Sequence, residues 1–222
     1  MPVWSNYRDI DKRFLYHFEN NFTNNGLQGV VTLTDGGTDA TAFSTSAVKF
    51  GTYSLLISYT TAGHTCLRYN TATTGLIYER SKRCTVDFWL YVGTTSGVNK
   101  VFGVLQIGSS NNASVYLKYN GSAMQIAFSY KTNASTYTTI TTGEYHHIAV
   151  VRDSDTNATM YIDGSSVSSV VVDNTVNLDN RYIYIGDSNG LMDAIGYFID
   201  ELRITSAVKW SGNFTPPTQA YS

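Results

Sequence analysis

Apolar and polar residues alternate along most of the chain, in short segments separated by clusters of Gly, Asn, Asp and Ser. Strict alternation places successive side chains on opposite faces of a β-strand. The segments 85–92 and 196–205 show this alternation most clearly. Helical periodicity is not convincing anywhere, and 192–195 is long enough for a single turn only. The pattern therefore predicts an all-β protein.

Turn signals separate the predicted strands. Asn120-Gly121 lies between two alternating runs and is a strong hairpin signal, and Asp163-Gly164 predicts a second tight turn. In chain order the predicted strands are 13–19, 30–33, 47–50, 53–59, 65–69, 85–92, 100–107, 114–119, 123–130, 136–141, 146–152, 159–162, 167–172, 182–185 and 196–205. Many short strands at close, regular spacing predict an antiparallel sandwich of two sheets.

The domain organisation follows from the even composition of the chain. All-β sandwiches of 222 residues are commonly a single unit, and neither an internal repeat nor a break in composition divides this sequence. Residues 1–12 are a polar lead-in that we interpret as an N-terminal arm. Residues 13–222 are predicted to form one domain, in which Pro216-Pro217 ends the regular structure because successive prolines cannot join a strand ladder.

The segment 196–205 also holds the best candidate site residue. Phe198, Asp200, Leu202 and Ile204 fall on one face of the predicted strand, which is apolar except at Asp200. A carboxylate among core-facing residues is costly unless a cation or several hydrogen-bond donors meet it. Asp200 is therefore expected either to accept backbone N–H bonds, to pair with a cationic side chain such as Lys49, or to bind a metal ion.

Composition and charge exclude several classes of function. The net charge of −2 and pI of about 6.0 leave no electrostatic basis for binding nucleic acid or an acidic membrane. No apolar run approaches a membrane span, and the N-terminal residues lack a signal core, so export is not expected. The two cysteines, Cys66 and Cys84, leave a disulfide open, but we favour two reduced thiols, with Cys84 as a small buried hydrophobe.

Enzymatic motifs are incomplete. Residues 186–190 match Gly-x-Ser-x-Gly, but a nucleophile elbow requires a following helix and a later His, and no His follows His147. Residues 153–157 resemble the start of an EF-hand loop without its Gly and Glu. Only four glutamates occur, and none has the acid spacing that a glycosidase on such a scaffold requires. His146 and His147 are adjacent in a strand and give no zinc signature. We predict a protein that is not an enzyme.

A series of motifs spans nearly the whole chain in a characteristic order. They are 17–19 (HFE), 49–55 (KFGTYSL), 85–91 (TVDFWLY), 146–152 (HHIAVVR), 160–164 (MYIDG), 183–186 (IYIG), 199–204 (IDELRI) and 212–217 (GNFTPP). Together they resemble the concanavalin A-like, laminin-G-like jelly roll, most closely the version found in phage tail and other virion proteins. Two departures are Tyr145, where the family usually has Trp, and Glu19, where Asp is common.

This resemblance implies a structural Ca²⁺ near the paired N- and C-terminal strands, with Glu19, Asn21 and Asp200 as its ligands. Oxygen ligands of this kind suit Ca²⁺. The resemblance also implies a virion-associated module, made in the host cytoplasm, with other virion proteins as partners and a homotrimer as a plausible assembly.

Two functions compete on this basis. The first is carbohydrate-binding adhesion to a host-surface glycan, and the second is structural decoration of the virion without glycan binding. A glycoside hydrolase is the less favoured third reading. Tyrosines can stack on sugar rings, but they also favour strands, so the sequence does not select among candidates such as Tyr69, Tyr130, Tyr137 and Tyr145.

Overall fold

The computed structural model describes residues 12–22, 25, 34–35, 41–58, 66–70, 83–93, 100–107, 113–130, 133–153, 156–172, 182–186 and 196–222. Within these ranges the chain forms strands and no helix. The strands are β1 (Lys12–Tyr16), β2 (Thr34–Asp35), β3 (Thr41–Ser44), β4 (Ser54–Ser58), β5 (Cys66–Asn70), β6 (Cys84–Val92), β7 (Lys100–Ile107), β8 (Ala113–Tyr119), β9 (Met124–Tyr130), β10 (Asn133–Ala134), β11 (Thr138–Ile140), β12 (Tyr145–Arg152), β13 (Asn157–Ile162), β14 (Ser165–Val171), β15 (Tyr182–Gly186) and β16 (Gly196–Thr205).

The strands form two eight-stranded antiparallel sheets. The first sheet has the order β14-β13-β12-β6-β16-β4-β3, with β1 also paired to β16. The second has the order β10-β9-β8-β7-β15-β5-β2, with β11 also paired to β9. This architecture confirms the predicted two-sheet sandwich, including the pairing of the N-terminal strand with the strand near the C-terminus. No helix in the described part of the chain is long and apolar enough to cross a membrane.

The main core lies between the inner faces of the two sheets. Alternate residues of each long strand enter it, such as Phe88 and Leu90 of β6 and Leu117 of β8. Cys84 is buried in this core, as predicted. The side chain of Cys66 lies outside the described residues, so the prediction of reduced thiols stays untested.

The outer face of the first sheet is covered by the C-terminal segment, residues 206–222. Trp210 and Phe214 stack with ring centroids 3.8 Å apart, and both pack with Val208 against the outward side chains of β12 and β13. Tyr221 packs beside Trp89 and Leu15. The outward residues of the central strands are therefore buried, and charged groups among them need partners inside the protein.

A β-bulge in β16 changes which residues face the core. The pairing of β16 with β6 shifts register between Asp200 and Arg203, and Glu201 has a φ of +54°. Consequently Tyr197, Ile199, Leu202 and Ile204 all enter the core. The predicted grouping of Phe198 and Asp200 with Leu202 and Ile204 is wrong, because the extra residue of the bulge inverts the alternation. Asp200 lies on the outer face, opposite Trp89 of β6.

The predicted strand at 47–50 is also wrong. Residues 45–53 form a loop, and the strand that pairs with β4 is the unpredicted β3. The physical reason is that backbone N–H groups of this loop donate to carboxylates instead of to a neighbouring strand. Most of the predicted arm at 1–12, the strand at 30–33 and the turn at 192–195 lie outside the described residues.

Both predicted tight turns are confirmed. Gly121 has a φ of +97° in the β8–β9 hairpin, and Asn120 Oδ1 accepts hydrogen bonds from Ser122 N (3.0 Å) and Ala123 N (2.9 Å). Asp163 and Gly164 have φ values of +49° and +79° between β13 and β14. Two successive positive φ values are the geometry of a type I′ turn.

Candidate functional site

The predicted metal ligands Glu19 and Asp200 bind the same loop. Asp200 Oδ2 accepts the backbone N–H of Lys49 (2.9 Å) and Phe50 (3.1 Å). Thr52 N donates to both carboxylate oxygens of Glu19, at 3.0 and 3.1 Å. Of the alternatives that the sequence left open for Asp200, acceptance of backbone N–H bonds is therefore observed.

The positive φ of Gly51 favours glycine where Glu19 meets this loop. Gly51 has a φ of +71°, and a Cβ at this position would lie 1.8 Å from Glu19 Oε1. The carboxylate thus occupies the space that a side chain would fill. The third predicted ligand, Asn21, is exposed, and its amide nitrogen donates to the carbonyl oxygen of Glu19 (2.8 Å).

The fit of these residues to a metal ion is partial. In the described part of the chain, no three His, Cys, Asp or Glu side chains are grouped so that they could hold a metal. Asp200 Oδ1, however, is buried without a hydrogen-bond partner, as a ligand oxygen would be. Burial raises the pKa of Asp200 to about 7, although its backbone hydrogen bonds act in the opposite direction. Asp200 fits a cation site, whereas Glu19 and Asn21 are engaged in local hydrogen bonds.

Asp200 is the end of a row of three buried polar side chains on adjacent strands. His147 pairs with Trp89, and Trp89 pairs with Asp200. Each has one polar atom without a partner: His147 Nδ1, Trp89 Nε1 and Asp200 Oδ1. The indole N–H can only donate, so this row combines a donor with acceptors and does not by itself form a set of metal ligands.

A buried ion pair lies next to this row. Arg203 Nε donates to Asp87 Oδ1 (3.0 Å) and Arg203 Nη2 donates to Asp87 Oδ2 (2.7 Å), which is a bidentate geometry. Burial opposes ionisation of Asp87, but its hydrogen bonds to His147 and the Arg203 guanidinium hold its pKa below the ordinary value. The Arg203 guanidinium also lies 3.8 Å from the ring centroid of Tyr221.

Glu201 joins the two ends of the chain. Its Oε1 lies 2.7 Å from His17 Nδ1, and its Oε2 accepts the backbone N–H of Tyr221 at 2.7 Å. The hydrogen bond to Glu201 raises the pKa of His17. This role of Glu201 is not predictable from the alternation, because the bulge that directs its side chain toward His17 and Tyr221 leaves no signal there.

A cleft of about 450 Å³ lies where the β8–β9 hairpin meets the loop after β11. It is lined by Tyr119, 122–124 and 140–142, and we call it the hairpin cleft. Its floor is apolar, because Met124 and Ile140 are buried, and hydroxyl groups surround it. Only the hairpin turn was predicted for this cleft, because the pairing of β11 with β9, which sets Ile140 opposite Met124, is not visible in the local sequence.

Behind the hairpin cleft lies a chain of hydrogen bonds centred on His146. His146 Nδ1 lies 2.6 Å from Asp163 Oδ2, and His146 Nε2 lies 2.8 Å from Thr141 Oγ1, which donates to Glu144. The arrangement superficially resembles a catalytic triad. However, Thr141 Oγ1 donates its proton to Glu144, so His146 Nε2 donates to Thr141 Oγ1 and cannot take a proton from it. The hydrogen bond to Asp163 also raises the pKa of His146. The geometry favours a structural role for these side chains.

The other motifs singled out in the sequence give no catalytic group in the described residues. Gly186 ends β15, but 187–190 lie outside the described residues. Both histidines of 146–147 are buried. Tyr130 is in the core and cannot stack on a ligand, whereas Tyr137 is partly exposed, with Lys118 Nζ 5.3 Å from its ring centroid. The side chain of Tyr69 lies outside the described residues.

Comparison with known proteins gives a family match. A model described as the concanavalin A-like lectin/glucanases superfamily, of laminin G type, matches residues 65–209. This range includes strands of both sheets, from β6 at the centre of the first to β8 and β9 of the second. No match was found among curated proteins.

Several solved structures share the fold. The receptor binding domain of botulinum neurotoxin D is 13% identical, with a TM-score of 0.63 and coverage of 91% of this chain and 50% of that one. The binding domain of serotype G is 12% identical, with a TM-score of 0.62 and coverage of 89% and 48%. The binding domain of neurotoxin DC, solved in complex with SialylT, is 9% identical, with a TM-score of 0.60 and coverage of 90% and 48%. The chain spans about half the length of each, and at these identities the likeness shows the fold alone.

Proposed function

Because this chain belongs to the concanavalin A-like lectin/glucanases superfamily, we propose that it is a non-catalytic carbohydrate-binding module. The proposal rests on the hydrogen bonds and ion pairs that the acidic side chains make within the protein. In the described ranges, Asp87 is paired with Arg203, Glu201 binds His17 and Tyr221 N, and Asp163 binds His146. Glycoside hydrolysis needs two carboxylates that face the substrate, and acids held in this way serve the fold instead.

Two further points support glycan recognition. The hairpin cleft offers hydroxyl groups above an apolar floor, which is the mixture that small-ligand sites use. The neurotoxin DC domain, whose fold this chain shares, was solved with SialylT bound. The likeness in fold makes a glycan a reasonable first ligand class to test.

The setting of this module is a proposal that rests on the motif resemblance to virion proteins. We place it on a phage tail or capsid surface, with other virion proteins as partners and a homotrimer as its assembly. The segment 212–217, which most resembles the phage version, covers the first sheet through Phe214. A purely structural decoration protein is the alternative function.

A glycan array tests the proposed function. The isolated protein is expected to bind a defined subset of immobilised glycans and to release no product from them, because Asp87, Asp163 and Glu201 are engaged in structural bonds. Mass spectrometry of the bound glycans after prolonged incubation checks for turnover. Specific co-sedimentation with phage particles, combined with no glycan binding at any protein concentration, would instead establish the structural alternative.

Calcium binding is a separate prediction, supported by the unpartnered Asp200 Oδ1. If Ca²⁺ binds the native state, thermal melting in excess Ca²⁺ should occur above melting in chelator, by an amount that grows with free Ca²⁺. At 100 times the dissociation constant the gain is about 2.7 kcal/mol. Asp200→Asn should remove this dependence.

Asp153→Asn, the same substitution at an exposed position just after β12, is the matched control and should retain the dependence on Ca²⁺. Identical melting of the wild type in Ca²⁺ and in chelator would rule out a native-state calcium site. In that case Asp200 would be held by its backbone hydrogen bonds alone.

A further inference from the structure

The size and position of the hairpin cleft suit one sugar ring. Its volume of about 450 Å³ lies within the range of sites for small ligands, about 300–1,000 Å³. One wall is the tight β8–β9 hairpin, and the other is the segment that connects β11 to β12. Gly143 N donates to Val92 O (2.8 Å) and anchors that segment to the first sheet. Both walls are therefore held by backbone hydrogen bonds before a ligand arrives.

The lining combines an apolar floor with hydroxyl groups. Met124 and Ile140 are 2% and 5% exposed and are the buried apolar residues of the lining. Tyr119 is partly exposed, and its ring can cover the apolar face of a pyranose. Ser122 and Thr142 are exposed and place hydroxyls at the rim. A ligand with one apolar face and several hydroxyl groups matches this lining.

The polar groups are also oriented. Ser122 Oγ donates to Asn120 Oδ1 (3.0 Å), so its proton is engaged and its lone pairs remain to accept a hydroxyl proton. Asn120 is itself fixed by two backbone N–H bonds in the turn. This arrangement reduces the entropy that the side chain would lose on binding a ligand.

Charge disfavours an acidic ligand. No charged side chain is among the described residues that line the hairpin cleft. The ionisable groups directly behind Thr141 are two carboxylates, Glu144 and Asp163, with His146 between them. A carboxylated sugar would lose hydration here, and the basic group next to Thr141, His146, is buried and already hydrogen-bonded to Asp163.

We propose that the hairpin cleft binds a neutral, hydroxyl-rich sugar unit, with Tyr119 under its apolar face and Ser122 and Thr142 bonded to its hydroxyls. The proposal rests on the glycan-binding function proposed above and names its site and ligand class. It also distinguishes this chain from a binder of sialylated or other acidic glycans.

The test uses methyl glycosides of glucose, galactose, mannose and N-acetylglucosamine as neutral probes, and methyl glucuronide and N-acetylneuraminic acid as acidic probes. Saturation-transfer NMR and titration give their dissociation constants. Thr142→Trp fills the cleft and should weaken the best neutral probe more than 100-fold. Thr142→Val removes one hydroxyl and should weaken it about tenfold. Thr139→Trp and Thr139→Val, at an exposed β11 position outside the lining, should stay within about twofold of the wild type.

Each outcome decides between the site and the function. Undiminished binding of neutral probes by Thr142→Trp would overturn the site and leave the proposed function standing. Preference for the acidic probes would overturn the ligand class. Failure of the wild type to bind any probe, together with a blank glycan array, would overturn both. If Thr142→Trp does not fold, Thr142→Val, which removes only a surface hydroxyl, carries the same decision.

Discussion

Replacing Arg203 by Met should destabilise the protein by about 3–5 kcal/mol, the cost of leaving a buried charge unpaired. Asp87 is 0% exposed and loses both charge-assisted hydrogen bonds in this variant, while Met retains much of the volume of Arg. Urea unfolding followed by circular dichroism measures the loss. Because the unpaired carboxyl is relieved by protonation, the difference from the wild type should shrink as the pH falls from neutral toward about 4.

Two variants make this result specific. Arg83→Met removes an exposed arginine directly before the same strand, β6, and should change stability by less than about 0.5 kcal/mol. The double variant Asp87→Asn with Arg203→Met removes both charges and should recover part of the loss. If Arg203→Met unfolds within about 1 kcal/mol of the wild type, the Asp87–Arg203 pair does not hold the outer face of the first sheet.

Gly164→Ala should lower the free energy of unfolding by about 3 kcal/mol, which is at the upper end of the usual range for backbone strain. Gly164 has a φ of +79°, and a Cβ there would lie 1.8 Å from the carbonyl oxygen of Phe214. The same carbonyl belongs to the residue whose N–H donates to Gly164 O at 2.9 Å, so the two backbones cannot separate without losing that bond. The variant should also alter Trp fluorescence, because Trp210 stacks on Phe214.

Gly143→Ala is the matched control, since Gly143 has a φ of +85° but nothing lies within 4 Å of a Cβ there. It should lower the free energy of unfolding by about 1–2 kcal/mol, the cost of holding alanine at a positive φ, and leave the fluorescence unchanged. Gly212→Ala, where the space is open and φ is ordinary, should be neutral. Equal losses for Gly164→Ala and Gly143→Ala would show that the close approach of Phe214 does not constrain the fold.

The sequence predicted the fold well where one physical signal dominates. The apolar residues of β6, β7 and β12 predict these strands, and the predicted bounds agree with the structure to within one residue. The sequence predicts a strand within the loop at 45–53 because Ala47, Val48 and Phe50 are apolar, as the core-facing residues of a strand are. What decides its conformation is Asp200, which accepts the N–H of Phe50 from 150 residues away.

The candidate site was less predictable for a related reason. Alternation singled out Asp200 as a core-facing acid and the family resemblance singled out Glu19 as a metal ligand, but the outward position of Asp200 depends on a bulge at a non-glycine residue with positive φ, which alternation does not reveal. The pairing of Asp87 with Arg203 needs the register between β6 and β16, and that register is set by the same bulge. The hairpin cleft depends on the pairing of β11 with β9, which brings the segment after β11 next to the β8–β9 hairpin and is not encoded in the local sequence.

The place of β16 in the first sheet has a consequence during translation. This strand lies between β6 and β4 and also pairs with β1. These three earlier strands therefore cannot complete their pairing until residues 196–205 have been synthesised. On the ribosome, the growing chain must therefore carry unpaired strand edges through most of its synthesis. We expect slow, largely post-translational folding, and a dependence of soluble yield on chaperone supply and growth temperature.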